Sequence, residues 1–274
     1  MSRLKPISNP LFGHFIAVNG ATTADEVKSV ISEFGLRLAI GTHSPVLGFL
    51  VSFSTLNGVS RFKDSRYPKF KDLPILLEAA NGKACTVISY ETDFSKFHED
   101  IKSIFTHQEI YENGLCRAMK LNITWPLPEE LRKIKEEFGE LKIMVKTSME
   151  MRGRQLDVKE AIGRTLEYEK SADYIIIDRP VSHNNAVDHS LELYAELRRQ
   201  GCFSPVGFSG EIDSRSAADL MKNLRNGSER NISITAQDRV RDNTTGYLSE
   251  STLNLEKVGC FIESTSKAFS QKEP

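Results

Sequence analysis

Three short apolar runs in the last third of the chain decide its fold: YIIID at residues 174–178, PVGFSG at 205–210 and NISIT at 231–235. Each run ends in a polar or glycine-containing turn, and helix-like segments separate the runs. This pattern is typical of βα units in a parallel sheet, whose strand ends meet at one edge. Four residues that end these runs are therefore expected on one rim of a single cavity: Asp178, Ser209, Gly210 and Thr235.

The same alternation extends over the whole chain as eight strand-like and eight helix-like segments. The predicted strands are 14–18, 47–53, 84–89, 118–122, 141–146, 174–178, 205–208 and 232–235. The predicted helices are 23–34, 71–80, 94–105, 128–138, 158–170, 187–200, 214–225 and 252–269. Eight such units in 274 residues predict a single (β/α)8 TIM barrel spanning 1–274, with a frayed tail at 270–274.

A doubly wound open sheet uses the same alternation and is the structural alternative. Its dinucleotide-binding form is disfavoured, because no Gly-x-Gly-x-x-Gly follows an early strand. Two segments are irregular: 36–45 has room for an extra short strand, and 56–68 is a long polar loop on the expected catalytic side. Gly35 and Gly139 are expected to end their helices, and Pro128 to begin one.

Composition narrows the class of protein. Hydrophobic residues make up 39% and charged residues 27%, which is ordinary for a globular domain. The net charge of −1 provides no basic field, so nucleic acid is not an expected partner. No apolar run is long enough to predict a membrane span, and the first residues lack the apolar core of a signal peptide. We therefore expect a cytoplasmic protein without a membrane partner; its oligomeric state is not predicted.

Cysteine and histidine usage predicts neither a metal site nor a cofactor. The four cysteines form no Cys-x-x-Cys pair and are expected to be reduced and mostly buried: Cys85, Cys116, Cys202 and Cys260. The six histidines have no metal-ligand spacing.

Short motifs at successive strand ends carry a family resemblance: VNGATTADE at 18–26, GF at 48–49, DSRY at 64–67, KLNI at 120–123, Asp178, FSGEI at 208–212 and ITAQD at 234–238. In this order they resemble the motifs of phosphoribosylanthranilate isomerase, a (β/α)8 enzyme of tryptophan synthesis. The family has Cys-Gly before Thr and an acidic pair, then Gly-Phe, Ser-Pro-Arg-Tyr, Gln-Leu-His-Gly, Asp, Ala-Gly-Gly-Leu and Ser-Ser-Gly-Val-Glu. The resemblance spans nearly the whole chain.

The resemblance implies an Amadori rearrangement, in which an aspartate acid opens the ribose ring and a cysteine base removes a proton. The acid position is matched by Asp178, but the base position holds Asn19, and an amide cannot take a proton near neutral pH. The family's glycine-rich phosphate loops are thinned, since 181–186 has no glycine and Glu211 follows Gly210. Arg66 matches the arginine that binds the anthranilate carboxylate.

These considerations predict Asp178 as the catalytic residue. The expected substrate-binding residues are Asn19, Arg66, Asn122, His183, Ser209, Gly210, Thr235 and Gln237. Five of these residues have a structural alternative. Asp178 could be a helix cap or salt-bridge partner, and Asn19 and Asn122 satisfied polar residues in the barrel mouth. Arg66 could be a solvated surface arginine, and His183 an exposed loop residue without a role rather than a replacement base. His43 is expected on the opposite rim.

Two functions stay open on this sequence. The first is a diverged isomerase-like enzyme that acts on a small phosphorylated or acidic metabolite, with Asp178 as general acid–base. The second is a non-catalytic barrel that serves as a small-molecule sensor or a protein-interaction module. True isomerase activity with a different base is a weaker third reading. All three predict a small-molecule ligand or a protein partner and no cofactor.

Overall fold

The computed structural model describes residues 13–39, 43–58, 64–91, 96–122, 126–147, 150–151, 154–179, 189–225, 232–242 and 251–270. In chain order the strands are β1 (Phe15–Asn19), β2 (Ser44–Ser52), β3 (Cys85–Glu91), β4 (Ala118–Leu121), β5 (Lys142–Thr147), β6 (Glu150–Met151), β7 (Arg154–Gln155), β8 (Tyr174–Arg179), β9 (Val206–Gly210), β10 (Ile232–Ala236), β11 (Arg241–Asp242) and β12 (Thr252–Leu253). The helices are α1 (Ala24–Arg37), α2 (Phe53–Leu56), α3 (Leu73–Ala80), α4 (Phe97–Thr106), α5 (Pro128–Glu137), α6 (Val158–Leu166), α7 (His189–Arg199), α8 (Ser214–Arg225) and α9 (Leu255–Ser270). Short 3-10 turns occupy Phe70–Asp72, His107–Glu109 and Asp238–Val240.

Eight parallel strands close into a barrel in the order β1-β10-β9-β8-β5-β4-β3-β2. Strand β1 closes the ring, because it pairs with β2 on one side and with β10 on the other. The predicted (β/α)8 barrel is therefore confirmed, and the open-sheet alternative is wrong. Each of the eight predicted strands overlaps a barrel strand.

Local sequence signals explain where several helices begin. Helix α1 starts with a capping box, in which Thr23 and Glu26 satisfy each other's backbone N–H groups. Helix α5 begins at Pro128, where proline's missing N–H costs no hydrogen bond, and has two acidic residues in its first turn. Gly35 was expected to end α1, but the helix continues to Arg37, which pairs with Glu33 one turn earlier.

Several predicted boundaries were wrong. No extra strand forms in the described part of 36–45; instead β2 begins at Ser44, three residues before the predicted 47. Helix α6 ends at Leu166 rather than at residue 170. Helix α9 begins at Leu255 rather than at 252, because Thr252–Leu253 pairs with β11. The predicted frayed tail lies outside the described residues, apart from the helical Ser270.

The core has two parts, separated by the sheet. A large cluster between the barrel wall and the helices includes Ile16, Val18, Ile175 and Ile177. A smaller cluster fills the inside of the barrel, with Phe15, Ala17, Tyr174 and Ile176 among its members. Side chains on a strand alternate between its faces, so one strand supplies both clusters. In the described part of the chain, no helix has the length and apolar character needed to cross a bilayer.

Candidate functional site

Polar side chains replace the apolar interior at the carboxyl ends of the barrel strands. Side chains on a strand alternate between its two faces, and the inward-facing positions near the carboxyl ends are polar. They are Asn19, Glu91, Lys120, Asn122, Lys146, Asp178, Ser209 and Thr235. Their sequence neighbours, such as Val18, Tyr90 and Ile177, belong to the outer cluster. We call the opening that these inward residues line the mouth, and it is the end at which barrel enzymes carry their chemistry.

Asp178 is held in the mouth by two neighbours. Its Oδ2 lies 2.9 Å from Nζ of Lys146, and its Oδ1 accepts a hydrogen bond of 3.4 Å from Ser209 Oγ. Gly210 leaves room for this carboxylate, because a Cβ there would lie 2.8 Å from Asp178 Oδ1 and 2.2 Å from the carbonyl oxygen of Arg179. Its φ of +101° also favours glycine. The Asp178 carboxylate is therefore fixed in position but is only half-buried, so a ligand can reach it.

Lys120 is the most unusual group in the mouth. It is only 4% exposed, and among the described residues no carboxylate lies within 4.0 Å of its amine. Burial, with the nearby positive charge of Lys146, lowers the pKa of Lys120 to about 7. The carboxylates of Asp178, Glu91 and Asp238 partly offset this effect. A substantial fraction of this amine is therefore neutral at physiological pH, unlike an ordinary lysine.

Glu91 organises the mouth beside Lys120. Its Oε1 accepts a 3.1 Å hydrogen bond from Asn122 Nδ2, and its Oε2 accepts one from the Tyr67 hydroxyl. Burial, together with the charge of Glu91, raises the pKa of Tyr67, so this hydroxyl remains a donor. Asn122 is thus oriented by a protein carboxylate.

Arg66 is bound by two carboxylates of the chain. It lies 2.8 Å from Asp64 Oδ2 and 3.2 Å from Asp238 Oδ1. These contacts tie the segment after β2 to the segment after β10. Its predicted role in binding a ligand carboxylate would require displacing one of the two.

Asn19 packs against the base of the mouth. Its Nδ2 donates a 3.3 Å hydrogen bond to Gln237 Oε1. A Cβ on Gly48 would lie 1.8 Å from Asn19 Oδ1, so the glycine makes room for this amide. The structure thus brings Asn19 and Gln237 together, next to Thr235 on the end of β10.

The corner that holds phosphate in many barrels opens into a cavity of about 740 Å³, lined by Glu211, Asp213, Asp238 and Arg239 among others. The Glu211 carboxylate pairs with Arg239, and the Glu211 N–H donates to the carbonyl of Arg179 at 3.3 Å. Asp213 caps the start of α8 by accepting a 2.8 Å bond from the Ser216 N–H. Two carboxylates therefore stand where a phosphate would bind, and the N–H groups of Glu211 and Ser216 already have partners.

The predicted site residues therefore gather as expected at one end of the barrel, with Arg66 joined to them through Asp238. His183 lies outside the described residues, and its role stays a prediction. His43 lies at the opposite end, where Nε2 contacts the carbonyl of Ile232 at 3.1 Å. Sequence reasoning missed four groups: Tyr67, Glu91, Lys120 and Lys146. A lysine at an inward position of an apolar strand was the available signal. Among the described residues no group of three or more His, Cys, Asp or Glu side chains could hold a metal ion.

Comparisons with known proteins support the fold at a coarse level. No protein-family profile and no curated protein matches the chain. Among solved structures, phosphoribosyl anthranilate isomerase from Thermococcus kodakaraensis is 15% identical, with a TM-score of 0.59 over 92% of this chain and 98% of that one. The catalytic domain of a hyperthermophilic chitinase from Pyrococcus furiosus is 15% identical, with a TM-score of 0.55 over 97% and 99%. For 3-hexulose-6-phosphate synthase from Salmonella typhimurium the identity is 8% and the TM-score 0.56, over 93% and 99%. At these identities the likeness shows that the chain has a TIM-barrel fold, which proteins of different activity share.

Proposed function

We propose that this protein is an enzyme that transfers protons on a small acidic metabolite bound in the mouth, with Asp178 as general acid–base and Lys120 as a second proton-transfer group. The observation that carries the proposal is the buried Lys120, which has no ion pair with any described residue and lies near the Lys146–Asp178 pair. The proposed ligand is phosphorylated or otherwise acidic.

The charges in the mouth support an acidic ligand. Lys146 is neutralised by Asp178, and the positive form of Lys120 has no close carboxylate among the described residues. A buried charge without a partner is costly, so an anionic group that binds there would remove this cost. The Glu211 and Asp213 carboxylates at the corner after β9 disfavour a phosphate held there by backbone N–H groups, so a carboxylate on the ligand is the better match.

The two proton-transfer groups have complementary environments. A general base is most effective when its pKa lies near the working pH, and burial brings the pKa of Lys120 to about 7. Asp178 is held in a defined position by Lys146 and Ser209. One acidic group is therefore fixed at the end of β8, and its hydroxyl partner lies on the neighbouring strand β9. An acid and a base at different points of one cavity are what an isomerase or lyase requires.

A binding role without catalysis is the second candidate. The observation that favours it is the Asn19–Gln237 hydrogen bond, since an amide stands where the resembled family has its base. A sensor or interaction module would bind a small molecule in the same mouth and leave it chemically unchanged.

Hydrogen exchange in deuterated water tests the proposed function without knowledge of the substrate. The protein is incubated with a panel of small oxo-acids and sugar phosphates, including phosphoribosylanthranilate, and C–H signals of each compound are followed by proton NMR. Ligand binding is measured in parallel by thermal shift, because a ligand that binds only the folded state stabilises it. The variants are Lys120→Met and Asp178→Asn, and the control is Lys133→Met on the exposed surface of α5.

The proposal expects exchange on at least one compound, reduced by roughly 100-fold in each mouth variant and unchanged in the control. Thermal stabilisation without exchange or conversion of any compound would instead support the binding role. Conversion of phosphoribosylanthranilate would identify the isomerase activity itself.

A further inference from the structure

The amine of Lys120 is open to a ligand although its side chain is buried. Within the described residues it has neither a hydrogen bond nor an ion pair, and it is not among the fully enclosed polar atoms that lack a partner. Its small exposed fraction of 4% therefore includes the nitrogen, which faces the mouth. The methylene chain lies inside the barrel on β4, between β3 and β5.

We propose that Lys120 captures the carbonyl carbon of an aldehyde or ketone metabolite as a covalent imine. The inference rests on the proposed function, because it assigns a covalent step and a substrate class to the same mouth. It narrows the proposed ligand from any small acidic metabolite to a small carbonyl compound. An oxo-acid is the best match to the charges described above.

The step is balanced with groups at hand. The neutral amine forms a C–N bond to the carbonyl carbon, and the C=O π electrons move to the oxygen. The proton lost from nitrogen and a second proton from a neighbouring acid both reach that oxygen, the C–O bond breaks, and water leaves. The product is an iminium ion on Lys120, with no change of oxidation state. Asp178 and Glu91, whose negative charges act on Lys120, are the neighbouring carboxylates that can relay these protons. Each first takes up a proton, from the amine nitrogen or from solvent, and then passes it to the oxygen, so solvent supplies the second proton.

A buried hydroxyl points to a ligand in the same part of the barrel. Ser89 is fully buried on β3, and its Oγ has no hydrogen-bond partner in the part of the chain that the structure describes. It is the register partner of Lys120 across the β3–β4 ladder, and both side chains occupy inward positions. A buried hydroxyl without a partner is costly, so a ligand oxygen or a water that follows the ligand would satisfy it.

Lys120 is better suited to this role than Lys146. Lys146 Nζ lies 2.9 Å from Asp178 Oδ2, so its amine nitrogen is engaged in an ion pair. Lys120 has the opposite environment, since burial and the adjacent positive charge favour its neutral form. Desolvation and a neighbouring cation are the two features that activate amines for imine formation.

Reductive trapping tests the inference. The whole chain is incubated at pH 7 with pyruvate, dihydroxyacetone or dihydroxyacetone phosphate and sodium cyanoborohydride, and the adducts are located by peptide mass spectrometry. Lys28 and Lys102 provide the internal comparison, because both side chains are exposed to solvent and lie outside the mouth. Lys120→Met and Lys120→Arg are the variants, and circular dichroism checks that each is folded.

We expect at least one probe to label Lys120 roughly tenfold faster than either surface lysine, because of its larger neutral fraction. Total labelling should fall to the surface level in both variants. Equal labelling of all lysines with every probe, or an adduct on Lys146 instead, would overturn the inference.

Trapping and deuterium exchange are measured on the same protein. Exchange without trapping removes the imine and leaves the proposed function standing. Trapping without exchange keeps the imine and removes proton transfer. If neither trapping nor exchange is observed, both the imine and the proposed function are overturned.

Discussion

Lys146 Nζ lies 2.9 Å from Asp178 Oδ2, and this ion pair joins the neighbouring strands β5 and β8 inside the mouth. Both side chains are about one-fifth exposed, at 21% and 22%. The pair is thus shielded enough that losing one partner leaves the other charge in a poorly solvated place.

Removal of Lys146 alone should therefore destabilise the protein more than removal of both charges. We expect Lys146→Met to lower the free energy of unfolding by roughly 1–3 kcal/mol, and Lys146→Met with Asp178→Asn to restore part of this loss. Urea denaturation of the two single variants and the double variant gives the coupling energy. Strictly additive effects would show that the ion pair contributes nothing to stability.

Gly210→Ala should destabilise the protein and displace Asp178. The new Cβ would lie 2.2 Å from the Arg179 carbonyl oxygen, and alanine would have to adopt a φ of +101°. We expect a loss of roughly 2–4 kcal/mol by urea denaturation. Gly35→Ala is the matched control: its Cβ meets nothing within 4 Å, so it should stabilise the exposed part of α1 by up to ~1 kcal/mol.

Lys120→Met should make the protein more stable at neutral pH, and the gain should shrink as pH rises. Burial first, and then the charge of Lys146, lower the pKa of Lys120 from 10.5 to about 7. Between these values the unfolded chain binds more protons than the folded protein, so stability linked to Lys120 rises with pH. We expect a stabilisation of roughly 3–5 kcal/mol at pH 7. Urea denaturation from pH 7 to pH 9.5 measures it, and a gain that does not change with pH would contradict a buried amine with a lowered pKa.

His43, at the opposite end of the barrel, should make the fold sensitive to acid. Burial lowers its pKa from 6.5 to about 4, against the hydrogen bond that Nε2 donates to the Ile232 carbonyl. Because the folded pKa is depressed, the stability linked to His43 is present above pH 6.5 and is lost as pH falls toward 4. Its ring also stacks on Phe269 at 3.7 Å.

We expect His43→Gln to flatten the decline in unfolding free energy between pH 6.5 and pH 4 by ~2 kcal/mol. The exposed His189 on α7 gives a matched control, His189→Gln, which should leave the wild-type slope intact. An unchanged slope in His43→Gln would assign the acid sensitivity to other groups, such as His14, whose pKa burial also lowers.

The barrel could be predicted from sequence because its strands are short apolar runs bounded by turns. Strand β8, for example, was predicted at 174–178 and occupies Tyr174–Arg179. The end of the barrel at which Asp178 lies also follows from strand direction alone. Boundaries set by distant pairing did not follow, as Thr252–Leu253 shows: it looks helical locally but pairs with Arg241–Asp242.

Lys120 could not be identified from the sequence, for a physical reason. A lysine in the strand AMKL has the appearance of an ordinary outward-facing polar residue, since alternation is compatible with either face. The face is decided by the helices, which cover Met119 and Leu121 and leave Lys120 inside. Arg66 was assigned to a ligand because it matches an arginine of the resembled family; its partner Asp238, 172 positions away, was not predicted. Contacts at that separation depend on closure of the barrel.

Contacts between the segment after β2 and the segment after β10 restrict which substitutions the protein can accept there. Ser65 Oγ donates to the Ser251 carbonyl, 186 positions away, while Arg66 reaches Asp238 and Arg241 also binds Ser251. These contacts join the two segments, so a substitution in one segment removes a hydrogen bond or ion pair that holds the other. Substitutions at these contacts should therefore be paired and compensating, which makes coordinated variation at positions 65, 66, 238 and 251 the expected pattern in related sequences.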